Sequence, residues 1–155
     1  MWFQLNHMKN SISLKILTPE KIIYQDDISK LVVPTEVGEI GILPNHSPLV
    51  SIVKPGEIRI EKEGQNEPIP LSISGGIIEI RPSSVAYKTN SEIIILASRS
   101  EFASEIDIER AESAYKRAQK AMEEAHNLPD IDFAKFQAII DKELNRIKIG
   151  KKYRR

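Results

Sequence analysis

Eight of the nine prolines and six of the seven glycines lie before Ser98, whereas residues 99–148 hold no glycine and one proline, Pro129. Proline fixes φ and removes a backbone donor, and glycine opens positive φ. The first part is therefore confined to short extended runs joined by tight turns, and the second is free to be helical. The hydrophobic period changes at the same place. Ile12, Leu14 and Ile16 alternate with polar neighbours, as do Ile58 with Ile60 and Leu71 with Ile73. Beyond Ser98, Ala111, Ala114, Tyr115, Ala118, Met122 and Ala125 recur at helical steps. Phe133, Phe136, Ile140, Leu144 and Ile147 make a second stripe.

These patterns predict about ten short strands, among them 12–16, 22–24, 28–33, 71–73, 77–80, 85–87 and 93–97. The expected architecture is an N-terminal ten-stranded β-sandwich over residues 10–98 and a C-terminal antiparallel α-helical hairpin over residues 99–149. A basic tail, 150–155, follows. Ser104 and Asp107 have the spacing of a capping box. His126-Asn127-Leu128-Pro129 is expected to break the first helix, with Asp130 or Asp132 capping the next. Residues 146–155 hold six bases and no acid, and are expected to fray. An alanine stripe offers little area at about 25 cal/mol per Å². The hairpin is thus expected to dock weakly, as a switch or as a permanently packed arm.

The most informative stretch is residues 32–59. Its core is Gly38-Glu39-Ile40-Gly41-Ile42-Leu43-Pro44-Asn45-His46-Ser47-Pro48-Leu49, followed by Lys54-Pro55-Gly56. This resembles the epsilon subunit of F-type ATP synthases, where the usual wording is close to G-E-x-G-I-L-P-G-H-x-P-L and then L-K-P-G. Ser74-Gly75-Gly76-Ile77-Ile78-Glu79-Ile80 and Ile106-Asp107-Ile108-Glu109-Arg110-Ala111 agree with it, so the resemblance spans residues 12–149. Asn45 replaces a glycine of that pattern, which asks for a residue tolerant of left-handed backbone. Ser98 stands where the family more often has aspartate. The resemblance implies a non-catalytic central-stalk subunit of a proton-translocating rotary complex. Its sandwich would bind the gamma subunit and rest on the c ring, and its hairpin would act as a brake on the alpha/beta catalytic head. It also implies a peripheral place at the cytoplasmic face of a bacterial plasma membrane, with no required cofactor.

Two groups of candidate residues follow. Glu39 projects from a turn between glycines, beside Val37 and Ile40. By resemblance that turn faces the c ring, and Glu39, Ile40 and His46 become partner contacts. On residue type alone, Glu39 reads equally as a solvated turn residue, and His46 as a histidine pinning a proline-bracketed loop. The second group carries a regulatory ATP by resemblance, since Ile106 to Ala111 matches the I/L-D-x-x-R-A motif of ATP-binding epsilon subunits. Arg117 follows Arg110 by two helical turns, and Lys142 and Arg146 are one turn apart. Folding the hairpin brings Arg146 level with Arg110, with Lys142 between Arg110 and Arg117, so four cations can converge on phosphates. Glu101 and Asp107 fall where the family's other nucleotide contacts lie. The same charges also make an ordinary salt-bridged helix surface. Lys142 stands in place of an expected arginine and lacks its bidentate fork.

Composition excludes several other classes. Lys plus Arg equal Asp plus Glu at 22 each, so no global field favours nucleic acid. Cysteine is absent, which removes disulfides and thiol chemistry. Residues 93–97 are far short of the roughly 18 apolar residues of a membrane span. Residues 1–8 lack the basic head and apolar run of a signal peptide, and Met8 is an alternative start. A soluble intracellular chain is expected. No phosphate-binding glycine loop is present, and His7, His46 and His126 are too scattered for a metal site. Two readings from other classes stand beside the resemblance: a β domain binding nucleic acid through its basic tail, and a small hydrolase using His46.

Overall fold

The computed structural model describes residues 9–83, 89–125 and 133–154. In strand β1 (Lys9–Leu17), Ile12, Leu14 and Ile16 are fully buried. Burying each such side chain contributes about 1.5–3 kcal/mol. β1 pairs antiparallel with β2 (Ile22–Ile28) and parallel with β7 (Thr89–Ala97). The other strands are β3 (Lys30–Thr35), β4 (Gly38–Ile42), β5 (Leu49–Glu61), β6 (Ile69–Pro82) and β8 (Ser100–Phe102). The order across the sheet is β2-β1-β7-β6-β5-β3-β4, with β8 also on β6. Every strand from β1 to β7 supplies the enclosed apolar core, from Ile28 of β2 to Ile42 of β4.

The expected count of ten strands becomes eight among the described residues, and the expected strand at 85–87 lies outside them. The sequence alone reads Pro55-Gly56 as a turn and Gly75-Gly76 as a turn or a close-packing point; β5 and β6 run through both as one hairpin paired from Leu49↔Ile80 to Ile60↔Ile69. At Gly76 a β-carbon would stand 2.2 Å from the Leu96 carbonyl oxygen, so of the two readings the close-packing one holds here. β8 rejoins β6 along the edge that β7 leaves. The Ser98 N–H donates to Gly75 O and the Ser74 N–H to Arg99 O, both at 3.0 Å. The sheet thus continues to Phe102, past residue 98, and carries Glu101 on the sandwich.

After β4 the chain enters the proline-bracketed loop. Asn45 has φ of 66°, the left-handed conformation expected of it. Its N–H donates to Ser91 Oγ at 2.9 Å, and its Oδ1 accepts from Asn90 Nδ2 at 3.1 Å.

A single turn of 3-10 helix (Ala103–Glu105) leads to α1 (Ile108–Ala125), and α2 (Phe133–Tyr153) returns against it. Asp107, not Ser104, is the N-cap of α1. Its carboxylate accepts the Arg110 N–H at 2.9 Å, because Ser104 is taken into the preceding turn. Ala111, Ala118 and Ala125 are buried along the seam, as their spacing predicts. The residues expected to break and recap the hairpin, His126 to Pro129, Asp130 and Asp132, lie outside the described residues. The second stripe is only partly as expected: Ile140 and Ile147 are buried, but Leu144 is 49% and Phe133 40% exposed. Glu143, Arg146, Ile149 and Gly150 are buried instead. The basic end does not fray. Residues 146–153 are the last two turns of α2, and Ile149 packs with Ala103, Ile106 and Ile108.

Candidate functional site

Arg146 is the centre of the contact between hairpin and sandwich. Its side chain is 5% exposed and all three guanidinium nitrogens are occupied. Nε donates to Glu101 Oε1 at 2.5 Å, Nη2 to Glu101 Oε2 at 3.3 Å, and Nη1 to Glu143 Oε2 at 2.7 Å. Burial alone would lower the Arg146 pKa, but its hydrogen bonds to Glu101 and Glu143 outweigh it and raise the value. Beside this pair, Asn145 Nδ2 donates to Gly56 O at 3.0 Å and reaches Ser72 Oγ at 3.4 Å. Glu101 also lines a cleft of about 570 Å³ with Lys142, Arg99, Lys21 and Glu105.

Nearly two turns further on, Glu57 of β5 receives Lys152 Nζ at 2.9 Å and Tyr153 Oη at 2.5 Å. The Lys152 pKa is raised, first by the hydrogen bond to Glu57. Two residues along β5, Arg59 holds Glu39 through two bonds of 2.8 and 3.3 Å. That bond is the main cause lowering the Glu39 pKa. The buried apolar cluster at this end is formed by Ala103, Ile106, Ile108 and Ile149 with Tyr153 against it, and these polar contacts lie beside it.

The outer face of the sheet has a different character. Ile52 pairs with Ile77, Ile77 with Leu96, and Leu96 with Leu17 across four adjacent strands. Directly paired residues share a face. Ile52, Ile77 and Leu96 are each half exposed, and Val50 nearby is 70% exposed. Four strands thus present one apolar band to the outside.

Comparison with known proteins agrees with this geometry. Residues 11–103 match the ATP synthase delta/epsilon chain beta-sandwich domain, and residues 104–151 match the long alpha-helix domain of the same chains. The ATP synthase epsilon chain of Desulforamulus reducens is 36% identical over 141 residues, covering 91% of this chain and 98% of that one. This chain belongs to the ATP synthase epsilon family. The Bacillus subtilis epsilon chain is 36% identical over 142 residues, covering 92% of this chain and 98% of its own. A Euglena gracilis mitochondrial ATP synthase structure, described as OSCP/F1/c-ring, contains a chain of the same fold. It superposes with a TM-score of 0.70 at 20% identity, covering 93% of this chain and 84% of that one.

As an epsilon chain, the protein is a subunit of the ATP synthase central stalk. The structure brings some of the expected residues together and leaves others apart. Glu101 and Arg146 meet, and Lys142 lines the same cleft as Glu101. Asp107 is engaged as a helix cap. Arg110 and Arg117 are exposed on α1 and make no ion pair with a described residue. His46 is half-buried, and its Nδ1 donates to the carbonyl of the adjacent Ser47 at 2.7 Å. Ile40 is half-buried against the main core, whereas Val37 is 86% exposed. Sequence reasoning missed Glu143, Asn145 and Glu57. Glu143 and Arg146 have the spacing of a helical ion pair, which was the available signal. The outer band was also missed, although Ile77-Ile78 and Ile94-Ile95-Leu96 place apolar residues on both faces of a strand. Among the described residues no helix is long and apolar enough to cross a membrane, and no cluster of His, Asp and Glu is arranged to hold a metal.

Proposed function

We propose that this epsilon chain couples c-ring rotation to the catalytic head and restrains ATP hydrolysis through its hairpin, performing no chemistry itself. The observation that carries this reading is the polar character of the α2 contact, through Arg146, Asn145, Lys152 and Tyr153. Water can replace such contacts when the hairpin leaves, whereas a large apolar seam would hold it shut. The hairpin alternates between this docked form and an extended form that reaches the alpha/beta head. The outer band of Val50, Ile52, Ile77 and Leu96 suits a permanent stalk partner, the gamma subunit, because exposed apolar surface of this extent favours being covered. The turn bearing Glu39 and Val37, with Ile40 beneath and the His46 loop beside it, faces the polar loops of the c ring. The protein is then peripheral, at the cytoplasmic face of the membrane.

A regulatory ATP belongs to the docked form. Lys142, Arg146, Arg110 and Arg117 would hold phosphates, with Glu101 and Asp107 near the adenosine. The cations of α1 and α2 lie alongside one another only while the helices are antiparallel, so ATP favours docking by differential affinity. The test of the whole reading is a chain ending at Phe102, which keeps β8. Complexes carrying it should retain the subunit and lose inhibition of ATP hydrolysis. Unchanged hydrolysis would remove the brake from the account.

A further inference from the structure

Arg146 is one of the four cations of the proposed phosphate site, and in the docked chain all three of its nitrogens are already hydrogen-bonded. Glu101 takes Nε and Nη2 from the sandwich, and Glu143 takes Nη1 from one turn back on the same helix. The Glu143 side chain is 7% exposed and the Arg146 side chain 5%. One guanidinium therefore faces two carboxylates in a nearly dry site. The Glu101 bond ties helix to sandwich, whereas the Glu143 bond joins two residues of α2 and holds the hairpin to nothing else. Glu143 instead holds Nη1, a donor otherwise open to an anion.

We propose that Glu143 is an internal occupant of the phosphate position, and that its displacement sets how tightly this epsilon chain holds nucleotide. The inference rests on the reading that ATP binds the docked hairpin through Arg146. A phosphate that takes the Glu143 position parts that carboxylate from Nη1 and then sits beside a buried charge that repels it. Glu101 can keep its two bonds meanwhile, so docking and phosphate contact are compatible. The ligand class is a polyphosphate chain whose anionic end replaces the Glu143 carboxylate. The physical consequence is a chain that docks its hairpin without nucleotide and responds only when nucleotide is abundant.

The experiment titrates the full-length chain with ATP, and separately with inorganic tripolyphosphate, by calorimetry. Wild type is compared with Glu143→Gln, Glu143→Ala and Arg146→Gln. Glutamine keeps the shape of glutamate and removes its charge, so it is the variant least exposed to misfolding. Hydrogen exchange along α2, measured without ligand, reports whether each variant still docks. The expected result is at least tenfold tighter binding of both probes to Glu143→Gln and Glu143→Ala, with docking retained, and loss of binding in Arg146→Gln. Equal affinity in wild type and Glu143→Gln overturns the inference and leaves the ATP reading standing. Weaker binding in Glu143→Gln also overturns it, because Glu143 would then be positioning Arg146 for the ligand. No binding of ATP to any of these proteins removes the ATP reading, and the inference with it.

Discussion

Gly150 of α2 lies so close to Ile108, the first residue of α1, that a β-carbon there would stand 2.8 Å from Ile108 Cγ1 and 3.2 Å from Ile106 Cγ2. The only glycine after Ser98 is therefore a packing residue at the junction of both helices and the linker. Alanine at an unhindered helix interior stabilises by about 1 kcal/mol relative to glycine. Here contact with Ile108 should cancel that gain for Gly150→Ala and reverse it for Gly150→Val. Hydrogen exchange should speed up over 143–153 in the valine variant while β1 to β7 stay protected. Protection of α2 equal to wild type would show that the junction yields.

Removing Arg146 leaves Glu143 buried and Glu101 half-buried without their cation. Breaking a buried pair from one side costs about 3–5 kcal/mol. Arg146→Ala should undock α2 in the isolated chain, read as loss of slow-exchanging amides from its C-terminal half. The sandwich melting transition should move little, because Glu101 lies at its edge on β8.

How much of this was legible in the sequence depends on where each residue finds its partners. Ile12, Leu14 and Ile16 carry their own period, so β1 could be read locally. Asn45 could be read the same way, since its backbone requirement is local. Arg146 and Glu143 could not. Their burial is set by Glu101, 45 positions from Arg146, and helical period says nothing of such a partner. Pro55-Gly56 misled for a related reason. Its carbonyl at Gly56 accepts from Asn145, and its strand continues because β6 pairs beyond it.

The outer band predicts a mutation that separates binding from folding. Ile52, Ile77 and Leu96 are half exposed, so Ile77→Glu or Leu96→Glu should change the stability of the isolated chain by little, about 0.5 kcal/mol. The same variants should fail to co-purify with the rest of the stalk. Normal assembly of both variants would place the partner elsewhere.

Glu39 should titrate below the ordinary glutamate range because Arg59 hydrogen-bonds its carboxylate. A depressed folded pKa means that the contribution of this pair is present above the unfolded value of 4.5 and is lost as pH falls through the folded one. Carboxyl NMR of Glu39 should show the depressed midpoint, and Arg59→Ala should return it towards 4.5. A midpoint unchanged by Arg59→Ala would mean that the pair does not persist in solution.

The central claim is that this docked hairpin is the released state of a brake, and locking it in place tests that most directly. The chain has no cysteine, and Asn145 reaches Ser72 at 3.4 Å, so the pair Asn145→Cys and Ser72→Cys can be joined by a short reducible bis-thiol linker. ATP hydrolysis by the assembled complex is then measured with the link closed and after it is opened by reductant. The account predicts fast hydrolysis while the hairpin is locked to the sandwich and inhibition once it is freed. Equal rates in the two states, or slower hydrolysis in the locked one, would contradict it.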